Sequence, residues 1–406
     1  MKIRSVTYFC NPGWPLDETK LQAAGQFLAE AKATYQAAGY EVQTVRLATV
    51  PFVQMLGADR IEATPRLAEQ ISTAVQPLGI EYVSLGPVQP EFLDGYAVIP
   101  EAITVAPGIF FSGAMADVRF GISLPAVRAC AETVVRCASV TPDGFANLRF
   151  AALANVGPGA PFFPAAYHDR AEAAFALATE AADLAVDVFA HARTISDGQW
   201  ALAAELEKRA GQLASLSDEL SQRFSLAFGG IDFSLAPFPS EAISLGAAME
   251  RMGVPQAGLH GSLAAAAILT EVIERARFSR TGFSGLMLPV LEDAILAQRA
   301  AEGTLTVKDL LLYSAVCGTG LDTVPLPGDV TADQLSALLL DLSVLSLRLN
   351  KPLTARLMPI PGKKAGDPTN FDFDYFVNSR VMALEAQALS APFATTKRFS
   401  LAARHS

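Results

Sequence analysis

The sequence predicts an α/β fold with about ten strands, arranged as an open sheet or a closed barrel. Three observations carry this. Short apolar runs alternate along the chain with longer stretches of helical periodicity, the pattern of mostly parallel strands joined by right-handed crossovers. Hydrophobic residues make up 51% of the 406 positions and charged residues 18%, which favours one large core or a sizeable subunit interface. No internal repeat or low-complexity segment divides the chain.

The elements follow in order. Ser5 to Cys10 reads as a strand stopped by Asn11-Pro12-Gly13. Residues 15–38 carry Leu21, Ala24, Leu28, Ala31 and Tyr35, a helical stripe, with Asp17 and Glu18 in the first turn where the helix dipole favours acids and Gly39 as the stop. YEVQTVRL is the next strand. EYVSLG (81–86) is a strand, 91–104 a weak helix, and GIFFSG (108–113) a strand. Residues 123–138 are helical and LRFAALANV (148–156) is a strand. Two Ala-rich stretches, 168–192 and 196–224, read as long helices. AFGGIDFSL (227–235) is a strand, 260–276 a helix, and SGLMLPV (284–290) a strand. Residues 306–316 and 331–347 are helical, and PLTARLMPI (352–360) is the last strand. YSAVCGTGLDTVPLPGD (313–329), with its glycines and two late prolines, reads as a loop at the mouth of the fold. The stretch from about Leu384 is polar or Ala-rich and is expected to dock loosely as a tail. Residues 1–383 thus form one domain and 384–406 a tail.

Composition excludes several functions. The net charge is −10, and no Lys/Arg cluster offers a phosphate backbone or an anionic membrane a footing. Cys10, Cys130, Cys137 and Cys317 form no CxxC pair, and Cys130 and Cys137 read as buried small hydrophobes. No apolar run is long enough to span a bilayer, and MKIRSVTYF lacks a signal-peptide apolar region. These features predict a cytoplasmic, reduced protein, with the high hydrophobic fraction favouring a homo-oligomer.

Ligands of α/β folds gather at the carboxyl ends of parallel strands, so the residues that follow each strand are the candidates. Tyr167 and His168 end a Gly/Pro-rich stretch after 148–156. Asp232 interrupts the 227–235 run, and Glu241 follows. Glu292 and Asp293 follow 284–290, and Cys317, Asp322 and Asp329 follow the 306–316 helix. Carboxylates at the ends of separate elements suit a divalent cation or a polar substrate. The competing reading is that acids cap helices and turns, which fits Glu292-Asp293 and is weakest for Asp232. His260-Gly261-Ser262 and Thr281-Gly282-Phe283-Ser284-Gly285 precede apolar runs as anion sites would. Capping explains Ser262 equally well. His168 and His260 are candidate general bases or structural hydrogen-bonding groups. His191 closes a helix, and His405 lies in the tail. No HExxH, GxSxG, Walker or GxGxxG pattern occurs.

Asn155 with FFPAAYH, then GIDFSLAPFP, SGLMLPVLED and AVCGTGLDTVPLPGD, occur in this order. Together they resemble the bacterial and archaeal family known as domain of unknown function 711, over essentially the whole chain to about residue 380. That family is similar in fold to the pyruvate formate-lyase type of glycyl-radical enzyme, so the resemblance implies a ten-stranded α/β barrel. It does not imply radical chemistry. Where the radical enzymes carry R-V-x-G-Y, the nearest string is Arg380-Val381-Met382-Ala383-Leu384, with alanine in place of the glycine. The resemblance brings no reaction with it.

The resulting expectation is a non-radical enzyme, of lyase or hydrolase type, acting on a small polar or anionic metabolite. Asp232 and Asp322 position a substrate or divalent cation, and His168 is a candidate catalytic group. Asn155, His260, Ser262 and Ser284 help to bind an anion, Arg356 pairs with it, and Cys317 lines the pocket. The alternative is a metabolite-binding or regulatory protein on an inactive barrel. A purely structural oligomer would leave the loops between elements unexplained.

Overall fold

The computed structural model describes residues 1–404; His405 lies outside them. Among the described residues eleven strands occur: β1 (Lys2–Cys10), β2 (Val42–Thr49), β3 (Tyr82–Val88), β4 (Ile109–Asp117), β5 (Gly121–Ser123), β6 (Phe150–Ala154), β7 (Ala174–Glu180), β8 (Ala227–Asp232), β9 (Gly320–Pro327), β10 (Leu353–Ile360) and β11 (Arg398–Phe399). The main ladder runs β8-β7-β1-β2-β3-β4-β6-β10-β9, with β5 and β11 paired beside β4. The α/β class is therefore as the sequence predicts.

The strand directions are not. β1, β2, β3, β4 and β6 run parallel to one another. β7 pairs parallel with β8, and β9 with β10. The junctions β1–β7 and β6–β10 are antiparallel. Two opposed halves therefore share one sheet, and the carboxyl ends of its strands do not converge on a single rim.

Regular pairing stops at β8 and β9. The segment after Ser279 lies between them and makes only isolated bridges, Ile231 to Arg280 and Leu235 to Leu286 on one side and Pro289 to Asp322 on the other. SGLMLPV is thus extended without forming a regular strand. The residues expected in a mouth loop instead include β9. Pro325 and Pro327 gave that stretch a turn-like reading. Their missing N–H groups are tolerated because the strand's neighbour on one side is itself irregular. Residues 168–192 also differ. They hold β7 and a helix at Ala182–His191, because AFALATE is buried along nearly its whole length and shows no strand alternation.

The sheet is strongly curled. β1 and β10 stand five steps apart in the ladder, which in a flat sheet would be roughly 24 Å, yet Arg4 and Arg356 both bind Glu292. One face packs on the helices, including Glu18–Ala37, Leu124–Ala138, Ile195–Phe224 and Ala332–Leu349. The other face wraps around the loop 155–172. Ser84 Oγ donates to Ala166 O (2.7 Å), the His168 amide to Thr49 O (2.9 Å) and Thr281 Oγ1 to Gly159 O (3.0 Å). Phe162 packs with Leu153, Ala236, Phe283 and Met287, and Phe163 with Phe9, Ala48, Phe110 and Ala176. The PFFPAAYH stretch is therefore the plug of the interior rather than a rim loop. Residues 384–404 follow the outside of the molecule, pairing with β5 at Arg398–Phe399 and ending against Arg348, whose carbonyl accepts from the Arg404 amide (2.8 Å).

Candidate functional site

At one end of the interior, beyond the plug, lies a cavity of about 80 Å³. Its wall comes from the amino-terminal parts of the first half of the sheet: Arg4 of β1, Thr44 and Arg46 of β2, Tyr82 of β3 and Phe110 of β4. Glu292 and Arg356 complete it, with Phe373 and Tyr375 over the outside. A β-bulge between Ile3 and Ser5 changes the alternation, so that Arg4 turns inward while Ile3 stays in the outer core.

The polar centre is a chain of buried charges. Arg356 Nε donates to Asp322 Oδ1 (2.6 Å), and its Nη2 donates to Glu292 Oε1 (2.7 Å). Arg4 Nη2 donates to the other Glu292 oxygen. Burial works against the ionised Glu292 carboxyl, but the Arg4 and Arg356 guanidiniums together hold it below the usual carboxylate range. Burial raises Asp322 and outweighs its single guanidinium partner. The network ties β1, β9, β10 and residue 292 across the interior, and each acid is matched by an arginine as buried ions require.

Arg46 is different. Its Nε donates to Thr44 Oγ1 (2.8 Å), and its guanidinium lies over the rings of Phe163 (5.1 Å) and Tyr82 (5.7 Å). Among the described residues no carboxylate pairs with it. Burial, followed by the nearby Arg4 charge, lowers its pKa to about 10. Arg4 Nη1 is also buried without a partner among the described residues. The cavity wall is therefore short of negative charge. Nothing in periodicity marked Arg4 or Arg46; each is a lone arginine in a strand, and only the pairing across the interior distinguishes them.

The residues singled out from the sequence scatter. Arg356 lines the cavity and Asp322 reaches it through Arg356. Asp232 is fully buried but used by the chain: Oδ1 accepts from Ser234 Oγ (2.6 Å) and the Ser284 amide (2.8 Å), and Oδ2 from the Phe283 amide (3.0 Å). It fastens the irregular segment to β8. Ser284 Oγ donates to Thr281 O (2.9 Å) and Ile231 O (3.2 Å), which leaves no anion cradle there. Cys317 packs in the outer core among helices, apart from the cavity, and its carbonyl accepts from Lys351 Nζ. Ser262 begins the helix Ser262–Arg275, where its Oγ accepts from the Gly258 amide (2.9 Å). His260 is on the surface. His168 is buried in the plug, tilted against Phe9 at 6.2 Å. Burial lowers its pKa, and its Nε2 has no partner among the described residues. Asn155 sits at the opposite rim, its Nδ2 3.4 Å from Asn350 Oδ1.

Among the described residues no group of three or more His, Cys, Asp and Glu side chains is placed to hold a metal ion. Asp232 and Asp322, the acids expected to hold a divalent cation, are separately engaged by protein donors, so the donor set does not fit one. Asp293 is a helix cap, as its sequence setting suggested: Oδ1 accepts from the Ile295 and Leu296 amides (3.0 Å each). Ala383, which stands in place of the glycine, is exposed on the outside beside the tail, while Val381 and Met382 of the same string are buried. No helix among the described residues is long and apolar enough to cross a membrane.

The fold and site define an α/β protein with a curled sheet, a plugged interior and an arginine-lined internal cavity. The chain belongs to the family described as Uncharacterised ACR (DUF711), which matches residues 1–378. It is 37% identical over 264 residues to a UPF0210 protein of Pyrobaculum aerophilum, a match covering 62% of this chain and 57% of that protein. It is 32% identical over 347 residues to one from Pyrobaculum islandicum, covering 81% and 76%. With one from Neisseria meningitidis serogroup C it shares 28% over 371 residues, covering 87% and 81%. The P. aerophilum match thus spans little more than half of that relative's length.

Proposed function

We propose that the protein binds a small organic carboxylate in the cavity and acts on it as a non-radical enzyme of lyase or hydrolase type. The observation that carries this is Arg46, a half-buried guanidinium stacked between two rings with no carboxylate paired to it among the described residues. Removing a cation from water without a counter-charge is costly, and a bound anion would offset that cost. A planar guanidinium also suits bidentate recognition of a carboxylate. Size narrows the ligand. About 80 Å³ accommodates about six water-sized groups at roughly 10–15 Å³ each, so a phosphate group alone would nearly fill it.

The pKa of the Glu180 carboxyl at the end of β7 is raised, chiefly by burial, while that of Glu292 is lowered; Glu180 stands behind Gln43, off the cavity wall. The reading of a binding or regulatory protein is favoured by one observation: Asp322 and Glu292 are both already occupied by arginines. In either case we read the segment between β8 and β9 as the tenth stave of a barrel. Trp200, 68% exposed, and the nearby Ile195 support a contact between copies of the chain.

Calorimetric titration with acetate, propionate and lactate tests the proposal. Saturable binding is expected in the wild type, weakened at least about tenfold in Arg46→Met, as for loss of a charged hydrogen-bonding group. Absence of saturable binding by every one of these anions would overturn it.

A further inference from the structure

Gln43 carries the inference that the ligand is a hydroxycarboxylate. This β2 side chain lines the cavity beside Thr44 and Arg46. Its Nε2 donates to Glu180 Oε2. Glu180 is 2% exposed, and an ionised carboxylate only accepts hydrogen bonds. Glu180 therefore fixes the amide with its NH₂ turned away from the cavity. Gln43 Oε1 is left without a partner among the described residues, next to the uncompensated guanidinium of Arg46.

Glu292, the carboxylate on the cavity wall, offers no equivalent, and Glu180, whose Oε1 is buried without a partner among the described residues, lies off that wall. Both Glu292 oxygens are taken by arginines, and Thr44 Oγ1 already donates to Arg4 O (2.9 Å) and accepts from Arg46. The cavity thus presents a charged donor for an anion and, beside it, an amide acceptor for a hydrogen-bond donor. We propose, resting on the carboxylate reading above, that the ligand is a small acid bearing a hydroxyl group that donates to Gln43 Oε1, with Glu180 as the positioning residue that orients the amide. A hydroxyl suits the place better than an ammonium, because Arg4, Arg46 and Arg356 line the same small space and repel a further cation. The size limit also agrees, since lactate has six non-hydrogen atoms.

The test is a calorimetric comparison of racemic lactate, propionate and alanine on the full chain. Lactate is expected to bind at least about tenfold more tightly than propionate, the loss expected when a site's polar group is left unpaired. Gln43→Leu should bring lactate down to the affinity of propionate. Glu180→Gln, which keeps a hydrogen bond to the amide but frees its orientation, should narrow the gap. Equal binding of lactate and propionate by the wild type overturns this inference while leaving the carboxylate reading standing. Tighter binding of alanine than of lactate overturns the hydroxyl assignment. Failure of all three acids to bind overturns both readings.

Discussion

A Cβ on Gly282 would stand 2.2 Å from Asp232 Oδ2, inside space that the carboxylate fills, and Gly282 has a φ of +63°. The Asp232 carboxylate accepts two amides from the residues that follow this glycine. The glycine is therefore what lets the irregular segment close around a buried acid.

Gly282→Ala should accordingly destabilise the fold by about 2–4 kcal/mol, the sum of a left-handed backbone and a displaced buried acid. Gly362→Ala is the control. Its φ is +73° but nothing lies within 4 Å of the added atom, so it should cost only about 1 kcal/mol. Urea denaturation of the two variants checks this, and equal losses would refute the steric part.

Arg356→Met should be far more damaging than Asp322→Asn. The first leaves Asp322 without its guanidinium partner and Glu292 with one arginine, at a cost of about 3–5 kcal/mol. The second retains a polar group beside Arg356, which still binds Glu292. Their relative denaturation midpoints decide the matter.

Arg46→Met should leave the stability of the free protein unchanged or raise it. Its folded pKa, pushed down to about 10 by burial, means that the cation is held unfavourably at neutral pH. A midpoint for Arg46→Met well below that of the wild type at pH ~7 would show instead that Arg46 contributes to the fold.

Glu180→Gln should gain stability relative to the wild type as pH rises. Burial lifts the folded pKa of Glu180 above the ordinary 4.5. Its contribution is thus full below that ordinary value and is lost as the pH rises through the folded one. Denaturation curves at about pH 4.5 and pH 7 should diverge in favour of the variant, and a constant offset would contradict this.

Asn378→Ala should loosen the cover of the cavity without unfolding the sheet. Asn378 Oδ1 accepts from the Phe371 amide (2.7 Å) and Thr369 Oγ1 (2.9 Å), and its Nδ2 donates to Phe371 O (3.0 Å). This knot holds the turn that carries Phe373 and Tyr375. Limited proteolysis should gain a cleavage site between residues 369 and 380, with the denaturation midpoint little changed.

Most helices were legible because their amphipathic stripes and caps are local: Asp17 caps Glu18–Ala37 and Thr331 caps Ala332–Leu349. β7 and β9 were not. One is buried along nearly its whole length and so lacks alternation, and the other carries prolines that imitate a turn. Directionality was hidden as well, because an apolar run has no mark of which way its neighbour runs. Of the site, Asp322 and Glu292 were singled out as acids that follow the 306–316 helix and the 284–290 run, and Arg356 as the partner of an anion. Arg4, Arg46 and Gln43 were missed because an isolated polar residue in a strand reads as a solvent-facing position. Their inward orientation depends on curling of the whole sheet.

The antiparallel junction between β6 and β10 has a consequence for biosynthesis. β6 is complete at Ala154, but the strand that covers its free edge begins only at Leu353. At ~5–20 residues per second the nascent chain waits on the order of ten to forty seconds for that partner. Throughout, the FAALA segment, fully buried in the finished molecule, offers unpaired backbone groups on an apolar strand, the arrangement that recruits foreign strands. Ribosome-associated holdases that shield such edges should therefore govern the yield of this protein more than the stability of its completed fold.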